Sequence, residues 1–189
     1  MLNTGDPLPI RPRRVLVAGV GGCGKTTLAG RIAAVTGGPH KEIDALFHGP
    51  NWIPRPEFLD DVRALVQSEA WTTEWQYSAA RPILAARADL LLWLDLPFWR
   101  VTFPRILRRT THRRWHRTRL WNGNVEPPLS QAITDPEHII RWAVRTRRKY
   151  ATIVPALQVQ EPHLTMVRLR TDDEVEAWLA GPLQQSCHP

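Results

Sequence analysis

The nine residues from Gly19 to Thr27, Gly-Val-Gly-Gly-Cys-Gly-Lys-Thr-Thr, constrain this chain more than any other stretch. They match G-x-x-x-x-G-K-[ST] at Gly19, Gly24, Lys25 and Thr26, the spacing of a phosphate-binding loop. The flanks agree with the motif. Val15-Leu16-Val17-Ala18 is an apolar run suited to a buried strand, and Thr26 to Val35 carries leucine, isoleucine and alanine at helical spacing. A loop that wraps a polyphosphate must aim backbone N–H groups inward, and side chains larger than hydrogen would block the approach. The expected cradle is therefore Gly19, Gly21, Gly22, Cys23, Gly24, Lys25, Thr26 and Thr27. The helix behind it turns its positive N-terminal end on the phosphates, Lys25 is placed to reach the outer ones, and the Thr26 hydroxyl is placed to ligate Mg²⁺.

A chain of 189 residues suffices for one well-buried domain and is short for two. The net charge of +7 is not spread evenly: eight arginines and no acid fall between Arg100 and Trp121, and the remainder is near neutral. Such a segment suits the phosphates of a small ligand, a nucleic-acid backbone or an acidic surface. Two cysteines, Cys23 and Cys187, offer no metal or disulfide spacing, so a reducing, cytoplasmic setting is expected. The apolar run Leu90 to Leu96 is interrupted by Asp95 and too short to cross a bilayer, so no membrane partner is expected. Residues 1–12 read as a disordered lead-in, 13–180 as a single domain with a lid at about 105–130, and 181–189 as a loose tail.

Along the chain, His40 to Ile43 reads as a second strand ending at Asp44. Strand ends of this kind face the ligand crevice of an open parallel sheet, so Asp44 is a candidate for binding a hydroxyl or amine of an acceptor; a turn cap is the equal alternative. Phe47 to Pro56 reads as an irregular substrate-side loop, and Glu57 to Glu69 as a helix. Trp71-Thr72-Thr73-Glu74 is a short strand whose terminal carboxylate is assigned to Mg²⁺ or its water, against a structural ion pair. Ser78 to Arg87 reads as a helix and Ala88 to Leu94 as a central strand, ended by Asp95, the rival of Glu74 as metal-side acid.

Phe98 to Arg109 reads as a helix entering the arginine-rich segment, where Arg105, Arg109, Arg113 and Arg117 form one stripe if the helix persists. Arg109, Arg113, Arg114 and Arg117 are the candidates for touching nucleotide, against a merely solvated basic face. Asp135-Pro136 is expected to open a helix that runs through Tyr150 and ends before Pro155. Leu164 to Leu169 is the last strand, and Thr171 to Glu174 is a capping box for a final helix that Gly181-Pro182 should stop.

On these residues the chain resembles the P-loop kinases of adenylate kinase type, and more closely the small bacterial proteins described as adenylate kinase or DNA topology modulation protein. The likeness runs from about Arg13 to Ala180. It is carried by the Gly19 to Thr26 loop, Ile43-Asp44-Ala45-Leu46 followed by Trp52, the Trp71 strand, the run Trp93-Leu94-Asp95-Leu96-Pro97 and the arginine-rich segment. The resemblance implies a three-layer α/β/α P-loop NTPase fold with a five-stranded parallel sheet in order 2-3-1-4-5 and an arginine-rich lid. It also implies ATP as donor, Mg²⁺ as cofactor and a small-molecule acceptor, with Lys25, Arg109, Arg113 and Arg117 stabilising charge. Arg81 resembles the arginine that such kinases place near the acceptor's phosphate. One departure stands out: the family pattern has Asp-Gly after the Trp-initiated strand, whereas this chain has Glu74-Trp75. The alternative function is a nucleic-acid-associated ATPase or nucleotide-binding protein that uses residues 100–121, with Trp115 and Trp121 stacking on bases.

Overall fold

Three apolar runs and the short segment Trp71–Glu74 pair side by side as the centre of the molecule. A computed structural model describes residues 1–116, 118–125 and 139–187. Strands β1 (Arg14–Gly19), β2 (Trp71–Glu74), β3 (Leu90–Leu94) and β4 (Thr165–Leu169) form a sheet in the order β2-β1-β3-β4, every neighbouring pair parallel. Val15, Leu16, Val17 and Leu90 to Leu92 are completely buried, as expected of parallel strands covered on both faces. Parallel neighbours need crossover connections, and these are helical. Helices α1 (Lys25–Thr36), α2 (Ile43–Phe47) and α3 (Phe58–Gln67) join β1 to β2, and α4 (Arg81–Ala85) joins β2 to β3. Helices α5 (Phe103–Trp115), α6 (Ile139–Thr146) and α7 (Lys149–Gln160) lie between β3 and β4.

Among the described residues the sheet has four strands, in the order β2-β1-β3-β4, not the five expected in order 2-3-1-4-5. His40 makes a single parallel bridge with Thr72, and the ladder then stops. The groups that would extend it are claimed by side chains: the Thr73 hydroxyl donates to the Lys41 carbonyl at 2.7 Å, and the Ile43 N–H donates to the Glu74 carboxylate at 2.9 Å. The chain turns into α2 at that point.

Two helix ends also differ from the expectation. Pro155 lies inside α7 rather than beyond a helix; Ala151, four residues back, is exposed, which leaves water for the carbonyl that proline cannot bond. The final helix α8 (Asp172–Trp178), capped by the Thr171 hydroxyl at the Glu174 N–H, passes through Gly181-Pro182 in a wide turn (Leu179–Leu183) and continues as α9 (Gln184–Cys187). Burial of Leu183 and Cys187 holds that extension down. The expected start at Asp135-Pro136 lies outside the described residues. Leu2 lies along the β4 edge, its N–H donating to the Met166 carbonyl at 2.7 Å. Among the described residues no helix is long and apolar enough to cross a membrane.

Candidate active site

The phosphate loop leaves the C-terminal end of β1 and enters α1 at Lys25, with Gly24 in the left-handed region at φ 97°. Its glycines are required by what surrounds them. At Gly22 (φ 77°) a Cβ would lie 2.2 Å from Cγ1 of Ile106, a fully buried residue of α5; at Gly19 it would lie 2.6 Å from the Cys23 sulfur. At Gly21 it would stand 3.2 Å from the Trp142 ring of α6. Lys25 is buried, and its ammonium donates to the Val20 carbonyl at 3.1 Å, folded over the loop. Burial pushes the Cys23 thiol up, against the opposing pull of the Lys25 charge.

Glu74 ends β2 in register with Val17 of β1, which sets its carboxylate beside the root of the loop. One oxygen lies 3.2 Å from His40 Nε2, the other accepts the Ile43 N–H at 2.9 Å, and the Thr26 hydroxyl, at the start of α1, is near enough to favour the charged carboxylate. Burial alone would raise the Glu74 pKa; the bonds from His40, Ile43 and Thr26 outweigh it and hold the carboxyl below its usual range. Asp95 is engaged elsewhere, ion-paired with Arg168, whose guanidinium lies 4.5 Å above the Trp93 ring. The structure thus brings Glu74, and not Asp95, to Thr26. An ionised carboxylate and a hydroxyl are hard oxygen donors that suit Mg²⁺, which takes one or two protein ligands and completes its shell with water and substrate phosphates. Among the described residues no group of three or more His, Cys, Asp or Glu lies together to hold a metal ion.

On the other side of Glu74, Asp44 stands in the first turn of α2. Its Oδ1 accepts from the Tyr77 hydroxyl at 2.6 Å and from the Gln76 amide at 2.8 Å. Tyr77 holds a left-handed backbone at φ 53°, and Trp52 does so at φ 61°. For bulky side chains this costs about 1–3 kcal/mol each and persists only where surroundings enforce it. The Tyr77 ring stacks on Phe47 at 3.9 Å, and its hydroxyl lies 3.2 Å from His48 Nε2. Burial keeps His48 below its ordinary pKa despite the Asp44 charge, so the ring is neutral at neutral pH.

Arg81 lies over the Trp75 ring at 5.4 Å, and the Trp75 indole donates to the Arg81 carbonyl at 3.1 Å. The Tyr150 hydroxyl donates to the Trp75 carbonyl at 3.0 Å. Trp75 therefore seats the arginine. Lys149 is held below its usual pKa by burial and by the Arg81 charge.

The arginine-rich segment is helical only through Trp115, so α5 carries Arg105, Arg109 and Arg113 of the expected stripe. Arg117 lies outside the described residues. Arg105 is ion-paired with Asp172 at 2.6 Å. Beyond α5, residues 121–125 dock on the 48–52 loop. The buried Asn124 donates to the Gly49 carbonyl at 2.9 Å and accepts the Trp52 N–H at 3.1 Å; Trp121 donates to Glu42 at 2.7 Å and stacks on His48.

Several of these residues escaped the sequence reading: His40, His48, Gln76, Tyr77, Asn124 and Trp142. Their partners lie up to 75 residues away in the chain, as between Asn124 and Gly49, and no local pattern announces such pairs. The Trp in place of glycine after Glu74 was the one available signal that this side is built differently.

Comparison with known proteins places the fold. A gluconokinase from Sinorhizobium meliloti 1021 superposes with a TM-score of 0.51 at 19% identity, covering 94% of this chain and 95% of that one. A shikimate kinase from Bacteroides thetaiotaomicron gives 0.49 at 14% identity, covering 89% and 95%. A shikimate kinase from Acinetobacter baumannii in complex with shikimate gives 0.48 at 17%, covering 93% and 88%. Of these the first exceeds 0.5, and at its identity it shows a shared fold and nothing finer. No family model and no curated protein matches the chain. The chain has a P-loop-kinase-like fold, shared with that gluconokinase and not specifically that of adenylate kinase.

Proposed function

We propose that this protein is an ATP-dependent phosphotransferase that moves the γ-phosphoryl group of ATP to a small acceptor, of which nucleotides and nucleosides are the first candidates. The observation that carries this reading is a glycine loop with Lys25 folded over it and, at its root, the buried Glu74 carboxylate in register with Val17. In this reading the loop amides and Lys25 bind the phosphates, Thr26 and Glu74 hold Mg²⁺ or its water, and Asp44 and Arg81 orient the acceptor. The metal, when bound, supplies charge neutralisation at the β- and γ-phosphate oxygens. Arg109, Arg113 and Arg117 bring further positive charge to the transferring group.

The test is a phosphorylation screen of nucleosides, nucleoside monophosphates and small alcohols with ATP and Mg²⁺. With any acceptor that turns over, Lys25→Ala should lower kcat by about 10²–10³-fold, roughly 3 kcal/mol of barrier. Undiminished turnover in that variant would sink the assignment.

A second reading, a nucleic-acid-associated ATPase, has one observation in its favour: Trp115 is 83% exposed on the arginine-bearing helix. It predicts duplex binding that weakens steeply with salt, by roughly 0.9 in log–log slope per phosphate contacted. Absence of binding at low salt eliminates it.

A further inference from the structure

Two features of the acceptor side go beyond binding. Asp44 receives both its hydrogen bonds on one oxygen, Oδ1, from Tyr77 and Gln76. Among the described residues nothing donates to Oδ2 and no cation pairs with the carboxylate. Both donors are neutral: burial, reinforced by the Asp44 charge, pushes the Tyr77 phenol above its ordinary pKa, so it stays protonated. With its proton directed at Asp44, that phenol can take only a donated bond from His48, through Nε2–H, at 3.2 Å. The second feature is the left-handed backbone at Tyr77, which turns a bulky ring into the Phe47 stack and its hydroxyl onto Asp44.

We propose that the acceptor is an alcohol, that Asp44 Oδ2 takes its proton, and that Tyr77 and Gln76 are the positioning residues that aim the carboxylate. This rests on the phosphotransfer reading above. An alcohol must shed a proton as its oxygen bonds to phosphorus, and a carboxylate anchored by one oxygen and open at the other is suited to receive it. A phosphate acceptor has anionic oxygens already, needs no base, and is repelled by a carboxylate that no cation offsets. Arg81, seated on Trp75, is left to any charged substituent remote from the reacting hydroxyl. The step balances: the acceptor oxygen forms its bond to the γ-phosphorus while the bond from that phosphorus to the β–γ bridging oxygen breaks. ADP leaves with the electron pair, the acceptor proton passes to Asp44, and it is later released to water.

The experiment incubates the full chain and γ-labelled ATP with glycerol, glucose, gluconate, adenosine, AMP or CMP, then separates labelled products by stability in hot dilute acid. Esters survive; phosphoanhydrides are cleaved. Label in acid-stable ester is expected. Asp44→Asn keeps an oxygen for Tyr77 and Gln76 but removes the base, and should lower kcat at least about 10²-fold with ATP affinity unchanged. Tyr77→Phe keeps the ring stack and should lower kcat about tenfold, again without moving the KM for ATP. Label in an acid-labile anhydride on AMP or CMP overturns the alcohol assignment and leaves the kinase reading standing. Bound ATP with no transfer to any of these probes overturns both. A Tyr77→Phe variant with unchanged kcat removes the positioning role.

Discussion

At the end of β1 the glycine loop is shaped by backbone: a Cβ on Gly19 or Gly22 would overlap Cys23 or Ile106, and one on Gly21 would crowd Trp142. At the end of β2 the opposite side is shaped by side chains: Gln76 and Tyr77 donate to Asp44, Tyr77 meets His48, and Glu74 beside them takes the Ile43 N–H. Under the proposed function the first half binds a group common to all nucleoside triphosphates, for which a fixed backbone suffices. The second would then fit one acceptor, and exchangeable side chains allow that. Perturbing the first should therefore be nearly all-or-none, and perturbing the second graded.

The largest effect should come from Gly22→Ala. The added methyl meets Ile106 at 2.2 Å, and the φ of 77° is strained for any residue with a Cβ. Overpacking and backbone strain together should cost about 2–4 kcal/mol in urea unfolding, with loss of ATP binding. Trimming the opposing side chain in Gly22→Ala/Ile106→Ala relieves the overlap but not the strain, so a double-mutant cycle should give a favourable coupling of about 0.5–3 kcal/mol. A Gly22→Ala protein that binds ATP and unfolds like the parent would break the contrast between the two halves.

Glu74→Gln tests the seam where the halves meet. The folded carboxyl is held below its unfolded value, so its contribution to stability is complete above the unfolded pKa, roughly 4.3, and fades as pH falls through the lower native one. Glutamine replaces charge-assisted bonds from His40, Ile43 and Thr26 with neutral ones. It should lose about 1 kcal/mol near neutral pH and show a shallower loss of stability on acidification. Urea midpoints measured across that range decide the point; parallel pH profiles for the two proteins would mean that Glu74 is not held in its charged form.

The same contrast governs what could be read from the chain beforehand. The loop, the strands at Trp71–Glu74 and Leu90–Leu94, and the pairing of an apolar strand with α1 follow from spacing and hydrophobic runs, which are local properties. The expected strand at His40 to Ile43 failed for a nonlocal reason: whether its backbone groups joined the ladder depended on Thr73 and Glu74 taking them first. Glu74 and Asp44 were legible as acids at element ends, but Tyr77, Gln76 and His48 act through contacts about 30 residues away in sequence, and nothing in their immediate neighbourhood marks them. The left-handed backbone at Tyr77 has no glycine or asparagine to announce it.

The smallest effect is expected at Arg105. Spacing alone puts it in one stripe with Arg109 and Arg113, yet its guanidinium is committed to Asp172 at the start of α8, with the two side chains 43% and 56% exposed. Exposed pairs of this kind contribute about 0–1 kcal/mol and are screened by salt. Arg105→Ala should therefore shift unfolding by no more than about 0.5 kcal/mol, with the difference shrinking further as salt is raised. Turnover should stay within about twofold of the parent, whereas Arg109→Ala and Arg113→Ala should lower it by tenfold or more if their charge serves the transferring phosphoryl group. Equal losses at all three positions would mean that the helix acts as one diffuse field in which no arginine is set apart by its partner, and α5 would then belong with the graded, side-chain half of the site.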